Sequence, residues 1–361
     1  MFQKRTVSAF ILVLLSLPLF AEKLPKPDRV AAEPSAAERA LIAEGVQLHD
    51  SGRFDDAIAK YKQILDQSPN VAGVMYELSL TYYSKGDVAN ALQTARTGTH
   101  YRSQFLPQLY MTIGNILDDQ GKSKEAIALY KDAIDLQPDI ALLHFNLGLS
   151  LIRNGNLQDA KVSLEKSVVL DPDHASSHFV LANIYNEMGY SVPSIMALSR
   201  FLLLEGNSRR SQVALTTLHS LIGGDVSRDP RSGQITIQTL SPGKSKKDEG
   251  DFDGFDLALS ITTAAHVAAP DKKFSPFQLL TEKYSTMAEL LSARKQKGFA
   301  MEYYGPFFTE LKSQEKAEAF TYRVFQFEKI QGLSEWEQKG SDKLGAFDSW
   351  MKSYQWPNVK P

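Results

Sequence analysis

The sequence contains no cysteine. Disulfide frameworks, thiolate nucleophiles, Cys-based zinc sites and a lipid-bearing N-terminal cysteine are therefore excluded. Net charge is scarce too: 40 Lys and Arg stand against 42 Asp and Glu, a formal −2. No broad field draws such a chain to nucleic acid or to an anionic membrane surface. Catalytic signatures are missing, with no Gly-x-Ser-x-Gly elbow, no phosphate-cradling glycine loop and no His-Glu-x-x-His. The N-terminal apolar run, AFILVLLSLPLF at residues 9 to 20, follows Lys4 and Arg5 and ends before Ala21. It falls short of the roughly 20 apolar residues that a bilayer crossing needs. Residues 1 to 21 thus read as a signal peptide of an exported bacterial protein, periplasmic or secreted, with an uncleaved membrane anchor as the alternative.

What the chain does have is core-forming material and periodicity. At 43% hydrophobic and 23% charged over 361 residues, it is long enough for two domains. In the stretch GKSKEAIALYKDAIDLQPD, Gly121, Ala126, Tyr130, Ala133 and Pro138 recur 34 residues later as Gly155, Ala160, Leu164, Ser167 and Pro172. Gly52, Ala57, Tyr61, Ile64 and Pro69 carry the pattern upstream, Gly86, Ala91 and Ala95 continue it, and Gly189 extends it. A second glycine set, Gly45, Gly114 and Gly148, lies seven residues ahead of Gly52, Gly121 and Gly155. A fixed period of this kind marks stacked supersecondary units.

This pattern resembles the tetratricopeptide repeat, with copies at 38–71, 72–105, 107–140, 141–174 and 175–208. The resemblance implies an all-α, right-handed superhelical α-solenoid of helix-turn-helix units. Gly155 and its equivalents supply the left-handed turn between helices. Gly148 and its equivalents, with Ala57, Ala126 and Ala160, let helices cross closely, and Pro138 and Pro172 separate units. Copy two departs from the pattern with Ser79, Ala95 and Ser103, and one extra residue precedes copy three. Copy five has Ala182, Ser194 and Gly206 at the small, small and proline positions. Residues 208–224 read as a capping helix, which such arrays need because the last apolar face has no following neighbour.

The expected organisation is a signal peptide at 1–21, a linker or disordered stretch at 22–36, the array with its cap at 37–224, a linker at 225–250 and an aromatic-rich helical C-terminal domain at 251–361. Within the linker, QITIQTL reads as an isolated strand, and the basic KSKK beside acidic DEGDFDGFD reads as solvated. Helical spacing is expected over 255–269, 275–296, 301–314, 316–330 and 334–356, with starts at Ser275-Pro276 and Gly305-Pro306.

Isolated chemical candidates read as structural. His174 and His178 stand four apart but lack a convincing third ligand, and His178 and His144 fall where the repeat has a packing residue. Asp251, Asp253 and Asp256 lack the order of a calcium loop and its closing Glu, so capping and solubility explain them. His266 belongs to a core or helix face, and Asp118 and Asp119 to a helix surface. No metal, cofactor or enzymatic activity is expected.

In the repeat family the first helices line a concave groove. The matching positions give a partner-binding set of Tyr76, Leu80, Tyr83, Met111, Asn115, Phe145, Leu149, Ile152, Arg153, Phe179, Asn183 and Asn186, an apolar groove with acidic ends. The family's clamp for a C-terminal carboxylate uses Lys and Asn, where this chain has Ile42, Val46, Glu77 and Gln108. The resulting expectation is a non-enzymatic exported scaffold binding an envelope protein or peptide, without nucleic acid and without a retained membrane span. Two alternatives stand beside it: a glycan-binding or catalytic C-terminal module using Tyr303, Tyr304, Trp336, Trp350 and Trp356, or homo-oligomeric assembly through the groove.

Overall fold

The computed structural model describes residues 26–223, 225–229, 231–238, 248–268, 275–295 and 297–361. The expected signal peptide and the KSKK run lie outside them. A short strand, β1 (Arg29–Val30), precedes five helix pairs: α1 (Ala36–Asp50) with α2 (Phe54–Gln67), α3 (Ala72–Lys85) with α4 (Val88–Gly98), then, after β2 (Tyr101–Arg102), α5 (Leu106–Asp119) with α6 (Ser123–Leu136), α7 (Ala141–Arg153) with α8 (Leu157–Leu170), and α9 (Ala175–Glu187) with α10 (Ser191–Leu204). Each helix packs on the next, and the first helices α1, α3, α5 and α7 also touch in series. Residues 36–223 therefore form an α-solenoid of stacked helix pairs.

The two glycine sets have different physical causes. Gly52, Gly86, Gly121, Gly155 and Gly189 all have φ between +73° and +88°, and a Cβ at any of them would meet nothing within 4 Å. Backbone conformation selects them. At Gly45, Gly114 and Gly148, by contrast, a Cβ would lie 2.6 Å from the Tyr61 ring, 2.3 Å from Tyr130 and 2.9 Å from Leu164. Space selects these. Sixteen residues separate each small residue from its partner, and the irregular copies keep the balance: Ser79 faces the register of Ala95, and Ala182 that of Leu198. All four are fully buried. Where the small residue gains atoms, the aromatic partner is lost.

The extra residue before copy three also has a consequence. It lets Tyr101–Arg102 run extended and pair in parallel with Arg29–Val30, so the N-terminal arm is stitched across the second repeat junction, with the Asp28 and Arg29 amides donating to the His100 carbonyl at 3.1 Å.

After the capping helix α11 (Arg209–Gly223) comes an antiparallel hairpin, β3 (Asp225–Arg228) with β4 (Ile235–Gln238). The strand expected to be isolated is therefore paired, and both strands rest on α12 (Phe255–Ala268). Then follow α13 (Pro276–Ser292), α14 (Phe299–Tyr303), α15 (Gly305–Ser313), α16 (Ala317–Phe325), α17 (Leu333–Lys339) and α18 (Ser341–Ser353). Ser275 and Gln278 form a capping box with Pro276 in the first turn. The run expected over 334–356 is split at Gly340, where a Cβ would meet the Trp336 ring at 2.7 Å.

Tyr284, Phe307, Phe308, Phe320 and Phe325 form the aromatic centre of the C-terminal half. Its buried residues are continuous with those of repeats three to five in one hydrophobic cluster. The Tyr284 hydroxyl donates to Ser199 Oγ on α10 at 2.8 Å, and Tyr303 donates to the Val168 carbonyl on α8 at 2.7 Å.

Candidate functional site: the concave groove and a C-terminal cleft

All twelve residues of the expected groove reach the surface. Asn115, Arg153, Asn183 and Asn186 are exposed, and Tyr76, Leu80, Tyr83, Met111, Phe145, Leu149, Ile152 and Phe179 are half-buried. Several brace neighbouring repeats. The Tyr83 hydroxyl donates to Asp119 in the next repeat. Arg153 and Ser150 donate to Asp118 Oδ2 of the preceding repeat at 2.8 and 2.6 Å, so Asp118 is a buried partner and not the surface carboxylate expected. Tyr130 donates to Asn115 Oδ1 at 3.2 Å. The Tyr83, Ser150 and Arg153 links tie consecutive first helices together, whereas Tyr130 and Asn115 tie the two helices of one repeat.

The apolar side chains sit in aromatic contacts that leave part of each ring open. Tyr76 stacks on Phe105 with centroids 6.0 Å apart, Phe145 meets the edge of His174 at 4.9 Å, and Phe179 meets Phe201 at 4.8 Å. The Arg210 guanidinium covers Phe179 and Phe201 and donates to Ser176. Phe105, His174 and Arg210 were missed because a rule confined to first-helix positions does not sample junctions or the cap. Glu77 is half-buried in a pocket that Phe105 also lines, its carboxyl raised by burial and by the charge of Asp50. An acidic group there opposes a carboxylate ligand, in line with the absent clamp.

His144 and His178 occupy one register position. Each donates from Nε2 to the proline carbonyl that closes the preceding unit, to Pro138 at 2.8 Å and to Pro172 at 3.0 Å. That fixes the tautomer, so the Nδ1 of His178 accepts from the Tyr304 hydroxyl at 2.8 Å. Burial, followed by the Arg200 charge, pushes His178 down to about 3. His174 instead contacts Ser177 Oγ at 2.6 Å. Among the described residues no cluster of three or more His, Cys, Asp or Glu is placed to hold a metal. Asp251 pairs with Arg294 at 3.0 Å, and His266 with Glu282 at 2.6 Å.

The C-terminal half holds a cleft of about 840 Å³ lined by Phe277, Gln278, Glu282, Glu318, Glu335, Trp336 and neighbouring residues. Trp336 donates to Glu318 at 3.1 Å, and Lys343 donates to the same oxygen at 2.6 Å. The five aromatics considered for sugar stacking do not share a surface. Tyr303 and Tyr304 are fully buried, Trp350 stacks on Phe307, and Trp356 lies between Phe307, Tyr303 and the Arg200 guanidinium. Trp336 alone of the five lines the cleft.

Contacts between the array and the C-terminal half include Lys161, Val168, His178, Tyr185, Tyr190, Ser199, Arg200, His219 and the carbonyls of Ile222 and Gly223. None is a groove residue, so among these contacts the groove side carries no share.

Comparisons with known proteins agree with the repeat register. Tetratricopeptide repeat models match residues 48–116 and 141–174, and a TPR repeat model matches 114–155. Cellulose synthase operon protein C of Pseudomonas fluorescens (strain SBW25) is 25% identical over 133 residues, which is 35% of this chain and 10% of that protein. The chain thus spans about a tenth of that relative's length. Among solved structures, a thermophilic TPR protein of Thermus thermophilus aligns over 50% of this chain and 98% of its own at 24% identity, with a TM-score of 0.42. PilF of Pseudomonas aeruginosa aligns over 52% and 89% at 21% identity, with a TM-score of 0.43. The glycine turns, the small-to-large helix crossings and the matched models coincide over residues 48–174, and that stretch is a run of tetratricopeptide repeats.

Proposed function

We propose that the row formed by α1, α3, α5, α7 and α9 binds a protein or peptide of the bacterial cell envelope through its apolar centre, and that the chain reaches the envelope by a signal peptide at residues 1–21. Tetratricopeptide arrays are interaction scaffolds, and the part of this reading particular to the chain is where the partner sits. One observation carries it: Tyr76, Tyr83, Met111, Phe145 and Phe179 stay partly open although the C-terminal half was available to cover them, and it packs elsewhere. Aromatic side chains on a concave apolar surface are the residue types that dominate binding energy.

Co-purification from the native envelope, followed by titration of the captured partner, tests the reading. Tyr83→Ala with Phe145→Ala removes two anchors worth about 2 kcal/mol each, and affinity is expected to fall on the order of a hundredfold. Tyr83→Phe separates the ring from the hydroxyl that holds Asp119. High salt is expected to change little, since the contact is mainly apolar. Equal affinities of wild type and double variant would place the partner elsewhere, and a concentration-dependent mass in sedimentation would instead favour self-assembly.

A second reading rests on the cleft at Trp336, where two rings, three carboxylates and two carboxamides converge. A polyhydroxyl ligand such as a glycan suits that lining. Binding of an oligosaccharide that Trp336→Ala abolishes would promote this reading, and no binding to the wild type would remove it.

A further inference from the structure

A buried ionic cluster joins the back of the array to the C-terminal half, and neither the groove nor the cleft uses it. Lys161 and Glu165 lie one turn apart on α8, Tyr185 projects from α9, and Glu249 enters from the segment ahead of α12. The four are between 0% and 3% exposed. Lys161 Nζ donates to Glu249 Oε1 and lies 3.6 Å from Glu165 Oε1 and 3.5 Å from Asp248 Oδ2. The Ala300 amide donates to Glu249 Oε2 at 3.2 Å, and the Met301 amide to the Glu249 carbonyl at 3.1 Å. The backbone is clamped as well: a Cβ on Gly298 would lie 2.5 Å from the Glu249 carbonyl carbon. The acidic stretch expected to be solvated is thus partly a tether held inside the molecule.

Charge and hydrogens do not balance if both glutamates are ionised. One buried ammonium faces two buried carboxylates, and an uncompensated interior charge costs several kcal/mol. The Tyr185 hydroxyl lies 3.0 Å from Glu165 Oε1 and 3.0 Å from Glu249 Oε2, yet it has one hydrogen to donate. A proton on Glu165 resolves both problems: Glu165 donates to Tyr185, and Tyr185 donates to Glu249. Glu249 is the better anion of the two because Lys161 and the Ala300 amide both donate to it.

We propose that Glu165 carries a proton shared through Tyr185 with Glu249, and that this proton pins the tether at 248–250 to α8 and α9 as a pH-sensitive latch that loosens when the proton is lost. Burial and the Glu249 charge push the Glu165 carboxyl up to about 8, against the pull of Lys161. The sign follows from linkage. A carboxyl with a raised value in the closed form, and the ordinary 4.5 when released, loses its stabilisation as pH rises from the carboxylate range through about 8. The other ionisable groups facing the cluster are Lys161, Asp248, Tyr185, Tyr190 and Tyr304. The tyrosines are all shifted upward, so they stay neutral across this range. Lys283, pushed down to about 8 by burial, titrates in the same window but caps the Ile222 and Gly223 carbonyls at the end of α11, so a local readout is required.

Amide hydrogen exchange at Ala300 and Met301 in the full chain, corrected for the intrinsic pH dependence, supplies that readout. In the wild type, protection is expected to fall up to tenfold per pH unit between about pH 5 and about pH 8 and to level off above that. In Glu165→Gln, a neutral side chain of the same shape, it is expected to stay flat. Equal slopes in the two proteins would overturn the proposal. Carboxyl ¹³C titration of the glutamate-labelled wild type decides independently of how the variant folds. A glutamate midpoint near 8 is expected, and none above pH 7 overturns it.

Discussion

Gly114→Ala tests whether close helix approach selects the second glycine set. The added methyl would sit 2.3 Å from Cζ and Oη of Tyr130, a ring that is fully buried. Helix propensity alone favours alanine by about 0.8–1.0 kcal/mol. Against that stand overpacking at about 1–3 kcal/mol and the strained or lost hydrogen bond from Tyr130 to Asn115, worth about 1 kcal/mol. The net expectation is a loss of about 1–3 kcal/mol. Tyr130→Leu alone leaves a hole beside Gly114 and should cost about 2–4 kcal/mol. The two together reproduce the pair that copy five already uses, Ala182 with Leu198, both fully buried. The double variant should therefore lose at least about 1 kcal/mol less than the sum of the singles. Urea unfolding followed by circular dichroism, with slopes compared across the four proteins, measures this coupling. Additive losses would refute the idea that volume is traded between the two positions.

The turn glycines should behave differently. Gly121→Ala has free space but a φ of +73°, so it is expected to cost about 1–2 kcal/mol in the same assay, with no rescue from any neighbouring substitution. His178 should dominate the acid limb of stability. Its value lies near 3 in the folded chain against an ordinary 6.5, so the unfolded chain binds a proton first and stability is lost as pH falls from about 6.5 toward 3. Thermal melts of His178→Gln across that range should show a flatter limb than the wild type, and parallel limbs would show that another group controls it.

Local pattern carried much of the array and little of what docks on it. The 34-residue period fixes the glycine turns and helix crossings because these depend on neighbours in sequence. The C-terminal helix starts at Ser275-Pro276 and Gly305-Pro306 were legible for the same reason. Partners brought from far away were not. Lys161 and Glu165 look like an ordinary solvated i, i+4 pair on an amphipathic helix until Glu249, 88 residues beyond Lys161, is laid against them. DVSR, the strand partner of ITIQ, has no alternating pattern of its own, and the pairing of β1 with β2 depends on one extra residue at a repeat junction. The groove positions follow from the register alone, yet the register says nothing of which groove side chains also brace adjacent repeats.

The second helices record how the C-terminal half is attached. α6 buries four residues, among them Ala126, Tyr130 and Ala133, which face the interior of the array. α8 buries seven, the additional ones including Lys161 and Glu165. In α10 every residue from Val192 to Leu202 is buried, including Arg200 and Ser199, because α9, α11, α12 and α16 surround it. Burial of the outer face thus grows toward the end of the array. A terminal repeat exposes an apolar face that needs covering, and here α11 shares that task with the helices that follow. The first two repeats lack such backing and form a hydrophobic cluster of their own, centred on Tyr61, Val74 and Leu78. The array is consequently anchored at one end and self-supporting at the other. Because the anchoring surface is built from second helices and from the buried sides of α9, the first-helix row keeps its half-open aromatics along the whole length from Tyr76 to Phe179.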